Sequence, residues 1–173
     1  MATWSEFEQA SPAMATAGHA LLYQFGIGLG YLATVRKDGG PRIHPICPVL
    51  AGGGLYALIA TSPKQRDLLR DGRYALHAFP AKDVDDEFYV TGRAVHRDDA
   101  ALTGSVRAAF LATGGTSTGD ELLFELHIEH ALLSTYKKRG EPNNWPPVYT
   151  KWHARSQTTD SQTTDNRLAP AKH

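Results

Sequence analysis

The sequence has one cysteine, Cys47, no long apolar run and no excess of charge of either sign. A single cysteine cannot form an internal disulfide, so the fold does not depend on an oxidising compartment. No segment approaches the roughly 20 apolar residues that a membrane-spanning helix needs. Eighteen basic residues balance eighteen acidic ones, which argues against a nucleic-acid or membrane partner. We therefore predict a cytoplasmic protein in which any anion-binding site is local.

Length and composition predict one folded domain followed by a tail. The chain has 173 residues, of which 42% are hydrophobic, and this is enough for one core. Residues 155–173 contain a duplicated Ser-Gln-Thr-Thr-Asp segment and almost nothing to bury. Such a composition cannot offset its own ordering entropy. We expect a domain over residues 1–154 and a flexible polar tail over 155–173.

Turn residues and apolar alternation predict a mainly β domain with peripheral helices. Two short helices are expected before residue 24, one starting at residues 61–64 and one starting at residues 98–99. Strands or apolar strand-like segments are expected at residues 31–36, 41–50, 55–60, 73–79, 87–96, 122–128, 132–138 and 148–152. Prolines 41, 45 and 48 place the second of these strands at a sheet edge, because proline cannot donate to a strand ladder.

The start of the helix after a buried-looking strand is the sharpest candidate for a binding site. Ser62, Lys64 and Arg66 lie there, where free amides and the helix dipole attract a phosphate. A hydroxyl donor and two mobile cations suit a dianion. The structural alternative is that serine before proline simply caps the helix and that the two cations form a solvated face.

Arg42 and His44 form a second candidate pair, because residues two apart on a strand share one face. Together they could contact a phosphate and the polar edge of a ring. Alternatively, Arg42 is the solvated end of a hairpin strand and His44 is a structural histidine.

The sequence gives little support for a metal site or a catalytic nucleophile. His127 and His130 are three apart on a predicted strand, which places them on opposite faces, and Cys47 has no second cysteine, so no metal site is predicted. Cys47 lies in an apolar strand and is expected to pack there. One predicted loop contains the acidic residues Asp83, Asp85, Asp86 and Glu87, where solvated charge is the expected state.

Six segments form a series in a fixed order, at residues 31–35, 38–45, 55–60, 62–68, 73–76 and 90–94. The series resembles the pyridoxamine 5'-phosphate oxidase-like superfamily of FMN-binding split barrels. The resemblance covers roughly residues 20–153 and rests on the order of the segments rather than on one string. It implies a six-stranded antiparallel split β-barrel with helical additions. It also implies a homodimer that binds FMN at the subunit interface.

The resemblance also assigns roles to residues. The FMN phosphate would be held by Arg42, Ser62, Lys64 and Arg66. The flavin ring would be approached by Ala33, Thr34, Val35, His44 and Pro45. The redox chemistry would belong to the cofactor, so no side chain is assigned as a catalytic acid or base.

The function that this resemblance implies is an FMN-dependent oxidoreductase acting on a small substrate. The arginine-histidine substrate motif of true pyridoxamine 5'-phosphate oxidases is missing near residues 143–153, which argues against vitamin B6 oxidation. Two alternatives remain open. One is a reductase that uses the deazaflavin F420, and the other is a non-catalytic protein that binds flavin or haem.

Overall fold

The computed structural model describes residues 1–80, 85–136 and 145–154. In these ranges eight strands form one antiparallel sheet, against which four helices pack. The strands are β1 (Gly30–Val35), β2 (Pro41–Ile46), β3 (Val49–Ala51), β4 (Gly54–Ile59), β5 (Arg73–Ala78), β6 (Glu87–His96), β7 (Leu122–Thr135) and β8 (Val148–His153). The helices are α1 (Trp4–Ala10), α2 (Pro12–Leu22), α3 (Pro63–Arg70) and α4 (Ala100–Ala112).

The two terminal strands of the sheet are neighbours along the chain. The strand order is β2-β1-β5-β6-β7-β4-β3, and β8 pairs with the C-terminal half of β7. Only Cys47 and Pro48 separate the end of β2 from the start of β3, and such a link reaches about 10 Å when fully extended. The sheet must therefore curl until its edges approach each other.

The mainly β class, the antiparallel arrangement and the peripheral helices are confirmed. The sheet has eight strands rather than the six expected. The strand predicted over residues 41–50 is divided into β2 and β3 at Cys47 and Pro48. The segments predicted at 122–128 and 132–138 belong largely to the single strand β7. The predicted tail at 155–173 lies outside the described residues.

The edge position predicted for the proline-rich strand is confirmed. Pro41 and Pro45 both lie in β2, which is the first strand in the sheet order and pairs only with β1 among the described residues. Because an edge strand needs ladder amides on one side alone, two prolines are tolerated there.

The hydrophobic core lies inside the curl, under α1 and α2. Trp4, Phe7 and Phe88 are buried, and their rings meet at centroid distances of 5.4 to 6.3 Å. Helix α1 starts with a capping box, in which Thr3 N donates to Glu6 Oε2 at 2.7 Å and Glu6 N donates to Thr3 Oγ1 at 3.3 Å. No helix in the described part of the chain is both long and apolar enough to span a bilayer.

A β-bulge interrupts the pairing of β6 with β7. Gly92 pairs with Ile128, whereas the preceding Thr91 pairs with His130. Glu129 is therefore an extra residue on β7. An extra residue reverses the in-and-out alternation of every side chain beyond it.

The bulge corrects one expectation from the sequence. His127 pairs with Arg93 and His130 pairs with Thr91. Since Arg93 and Thr91 are two residues apart on β6, they share a face, and so do the two histidines opposite them. The prediction that His127 and His130 lie on opposite faces is wrong, because it assumed an uninterrupted strand.

The close backbone approach at the bulge requires glycine. A Cβ at Gly92 would lie 1.9 Å from the carbonyl oxygen of His127. We expect Gly92→Ala to lower the free energy of unfolding by about 1 to 3 kcal/mol in urea titrations, because the backbone must shift. Gly104→Ala in α4 is the matched control. Its Cβ meets nothing within 4 Å, and alanine favours a helix interior by about 0.5 to 1 kcal/mol. Equal stability of the two variants would contradict the bulge geometry.

Candidate functional site

A buried carboxylate joins the first hairpin to α3. Asp67 is 5% exposed in its side chain. It accepts hydrogen bonds from Thr34 Oγ1 at 3.1 Å, Arg42 Nε at 2.7 Å and an Arg70 guanidinium nitrogen at 3.2 Å. These donors come from β1, β2 and α3, and Thr34 lies directly opposite Arg42 in the sheet register. The three elements are therefore fixed around one negative charge.

Burial by itself raises the pKa of Asp67. The hydrogen bonds from Arg42, Thr34 and Arg70 outweigh burial and hold the pKa below its ordinary value of 3.8. The carboxyl group is thus ionised at neutral pH, and the two guanidinium groups compensate its charge.

An open cleft of about 650 Å³ lies beside this carboxylate, and we call it the basic cleft. Its charged lining residues are Arg36, Lys37, Asp38, Arg42, Arg66, Asp67 and Arg70. Five cations against two carboxylates leave a local excess of three positive charges on a chain whose net charge is zero. Positive charge is therefore concentrated locally, as an anion-binding site on a neutral chain would require.

The cations of the basic cleft differ in how far they are neutralised. Arg36 pairs with Asp38 at 2.5 Å, while Arg42 and Arg70 share Asp67. Lys37 and Arg66 have no carboxylate partner among the described residues. A bound anion would find its least compensated charges on these two side chains.

Ser62 is engaged as the cap of α3. Its hydroxyl accepts a hydrogen bond from Gln65 N at 3.3 Å and donates one to the Ala60 carbonyl at 2.9 Å. Capping, the structural alternative considered for this serine, therefore does occur. A contact between Ser62 and a ligand stays a prediction.

Lys64 lies on a different side of α3 from the basic cleft. It lines a smaller cleft of about 210 Å³, together with Pro45, Cys47, Phe110 and other residues. Arg42 and Lys64, which the sequence grouped on one phosphate, thus line separate clefts. Burial raises the pKa of the Cys47 thiol, which fits a packed cysteine rather than a reactive one.

Charged residues of both clefts affect the pKa of His44. Burial, followed by the charges of Lys64 and Arg42, lowers the pKa of His44, and Asp67 opposes this only in part. Its Nε2 atom is buried and has no hydrogen-bond partner among the described residues. A buried polar atom without a partner is costly, so His44 has an unused capacity to bind an anion or a polar ligand atom.

The three β1 residues that were predicted to approach the flavin ring lie on both faces of the strand. Thr34 points inward and is 2% exposed, which explains its bond to Asp67. Ala33 and Val35 alternate with it and are half-buried on the outer face. There they line a groove of about 260 Å³ with Pro41 and Arg73. This groove adjoins the hairpin but is distinct from the basic cleft.

The sequence did not predict five charged residues of the basic cleft, Arg36, Lys37, Asp38, Asp67 and Arg70. Asp67 and Arg70 are three apart on α3, a spacing at which opposite charges meet on a helix, and this was an available signal. Arg36 and Lys37 flank a hairpin turn, where charged residues are too common to stand out.

The residues present fit a phosphate ester better than a metal ion. Guanidinium groups and a histidine Nε2 that has no partner in the described ranges match phosphate oxygens. Within the described ranges, no group of three or more histidine, cysteine, aspartate or glutamate side chains could hold a metal ion.

The chain matches no protein-family model and no curated protein sequence. Its fold is similar to that of a Clostridium acetobutylicum protein of the pyridoxinephosphate oxidase family, related to general stress protein 26 of B. subtilis. This match has a TM-score of 0.56 and 12% identity, and it covers 80% of this chain and 92% of that one. A NimC/NimA family protein of C. acetobutylicum gives a TM-score of 0.54 at 17% identity, over 82% of this chain and 93% of that one.

The fold is also similar to that of a haem-binding protein from Mycobacterium smegmatis, with a TM-score of 0.57 and 18% identity. The match covers 79% of this chain but only 57% of that protein's length. These likenesses establish the fold. The antiparallel β fold that the sequence resemblance implied is confirmed by these likenesses.

Asp67→Asn tests the carboxylate that organises the site. We expect it to lower the free energy of unfolding by about 2 to 3 kcal/mol at pH 7, because two arginines lose a buried anionic partner. The folded pKa of Asp67 is lowered, so its contribution is complete above the unfolded pKa and is lost as the pH falls through the folded one. Urea titrations at pH 7 and pH 3 should show the difference between wild type and variant shrinking at pH 3.

The matched control is Asp38→Asn, which removes an exposed carboxylate from the same cleft. This change should leave the free energy of unfolding nearly unchanged. Equal effects of the two substitutions would show that Asp67 has no special structural role.

Proposed function

We propose that the chain binds FMN beside the β1–β2 hairpin and uses it for oxidoreduction of a small substrate. The observation that carries the proposal is the basic cleft, where three surplus positive charges gather on a neutral chain. A fold shared with a pyridoxinephosphate oxidase family protein supports the choice of a flavin phosphate.

The phosphate would be held from the α3 side of the hairpin. Arg42 and Arg66 both line the basic cleft, and Arg66 has no carboxylate partner among the described residues. Lys64 and Ser62 lie at the start of the same helix, where the dipole adds to the positive potential. His44 would supply a further donor through its unpartnered Nε2.

The flavin ring would lie on the hairpin itself. Ala33 and Val35 line the outer groove, and Pro45 is exposed on the same outer face of β2. These small or apolar side chains and the nearby backbone offer a flat surface to a ring. FMN supplies hydride transfer when bound, so the protein's part is to position the ring and limit solvent. We place this chemistry in the cytoplasm.

A second copy of the chain would complete the site. Ile43 is 65% exposed and Tyr31 is 41% exposed, and both lie on the outer face of the hairpin beside Ala33. Exposed apolar patches of this kind are typical of association surfaces. Because Ala33 also lines the proposed ring groove, a partner covering this face would share the cofactor. We propose a homodimer with FMN at its interface.

Two other ligands compete with FMN in this proposal. The similar protein from M. smegmatis is haem-binding, and haem carries two carboxylates that could use the basic cleft. The deazaflavin F420 also carries a phosphate group. A non-catalytic haem carrier and an F420 reductase are therefore the alternatives that titration must separate.

Titration of the apoprotein with FMN and riboflavin tests the phosphate site. Binding is measured by the change in flavin fluorescence, and riboflavin is the matched ligand because it lacks only the phosphate. We expect Arg66→Gln to weaken FMN by about 1.5 to 3 kcal/mol, the range of charge-assisted hydrogen bonds. Lys64→Gln, which changes the neighbouring cleft, should weaken FMN by less. Riboflavin should be insensitive to both substitutions.

The control variant is Arg93→Gln, which removes an exposed arginine of β6 that does not line the basic cleft. It should bind FMN like the wild type. Parallel titrations with haem and F420 rank the alternatives. Tighter binding of either ligand than of FMN, or equal affinity for FMN and riboflavin, would overturn the choice of cofactor.

Ile43→Asp tests the homodimer. A carboxylate at the centre of the outer apolar face should convert the dimer to a monomer in sedimentation velocity and weaken FMN binding in parallel. Leu111→Asp is the control, since Leu111 is 49% exposed on α4 and lies outside this face. A wild-type chain that sediments as a monomer in the presence of FMN would contradict the shared site.

A further inference from the structure

Two histidines face each other across the β7–β8 hairpin, away from the proposed cofactor site. His130 of β7 is directly opposite His153 of β8 in the antiparallel register, and both side chains are exposed. Their ring centroids are 4.6 Å apart, with an angle of 79° between the planes. One hydrogen bond joins the Nδ1 atoms of the two rings.

The backbone holds the pair in register from both sides. The ladder between β7 and β8 runs from His130 to Thr135, and the hydrogen bond from Ala154 N to Glu129 O, at 2.8 Å, continues it beyond His153. The bulge at Glu129 puts His130 on the same face as Thr91. The two rings are therefore neighbours because of strand pairing, and only their side-chain torsions are free to change.

Two facing Nδ1 atoms have a specific chemical consequence. A neutral imidazole carries a proton on one nitrogen and a lone pair on the other, so one ring of the pair donates while the other accepts. A metal ion can replace that shared proton if both rings present lone pairs. Tetrahedral zinc with Zn–N bonds of 2.0 to 2.1 Å needs its two nitrogens about 3.3 Å apart, and a small opening of the rings achieves this.

We propose that His130 and His153 bind a divalent transition-metal ion such as Zn²⁺ through their Nδ1 atoms. No third protein ligand completes a cluster in the described part of the chain, so water or a small anion fills the other positions. His153 also lines an open cleft of about 820 Å³, which leaves room for such ligands. Imidazole suits zinc, nickel and copper, and affinity should follow the order Cu²⁺ above Ni²⁺ and Zn²⁺.

The site is independent of the proposed flavin function. Neither histidine lines the basic cleft or the outer groove of the hairpin. The carboxylate of Glu129, the residue before His130, lies 4.0 Å from the Arg93 guanidinium. Metal binding and FMN binding can each fail without the other.

Calorimetric titration of the full apoprotein with Zn²⁺, in a buffer that does not chelate metals, tests the pair. We expect one Zn²⁺ per chain in the wild type. Loss of a residue that only orients a metal ligand costs about 10- to 100-fold in affinity, so His130→Asn and His153→Asn should each cost at least that much. His96→Asn removes another exposed histidine of the same sheet and should leave binding unchanged.

A second measurement separates this pair from other histidines. In NMR spectra, Zn²⁺ should perturb the ring signals of His130 and His153 and leave those of His96 in place. Wild-type protein that binds no Zn²⁺, or single variants that bind it as tightly as the wild type, would overturn the proposal. Arg66→Gln should bind Zn²⁺ normally, which keeps this result separate from the test of the flavin site.

Discussion

The candidate site depends on one buried negative charge. Asp67 lies on α3, yet its donors Thr34 and Arg42 belong to the hairpin of β1 and β2. A carboxylate this deeply buried is stable only while those donors stay in place. The helix start, the hairpin and Arg42 are thus fixed relative to one another before any ligand arrives. Preorganisation of this kind lowers the ordering cost of binding.

The same carboxylate also decides which cations remain available. It compensates Arg42 and Arg70, whereas Arg66, which lines the cleft, has no carboxylate partner among the described residues. His44 is kept neutral by burial and by nearby cations, so its uncharged ring can approach them without repulsion. A dianion entering this region would reverse that balance, since it would favour protonation of His44. The site therefore carries an excess of positive charge that a bound anion would neutralise.

Local signals in the sequence were sufficient for much of the fold. Capping residues and glycine turns predicted the helices and hairpins, and the prolines of β2 predicted its edge position. The sequence did not predict two features, because both arise from contacts between segments that are distant along the chain. The bulge at Glu129 depends on how β7 meets Gly92 of β6, and the separation of Lys64 from Arg42 depends on how α3 packs on the hairpin. Neither can be read from spacing along one segment.

The position of β2 at the sheet edge determines which side chains a ligand can contact. Arg42 and His44 point to the inner face of this strand, whereas Ile43 and Pro45 point outward. A ligand with a charged end and a flat apolar end can contact both sets only by crossing the open edge of the strand. Proline at that edge disfavours pairing with another strand. The edge of β2 therefore stays accessible to a ligand. The proposed FMN has this shape, with a phosphate at one end and a flat ring at the other, whereas inorganic phosphate has only the charged end.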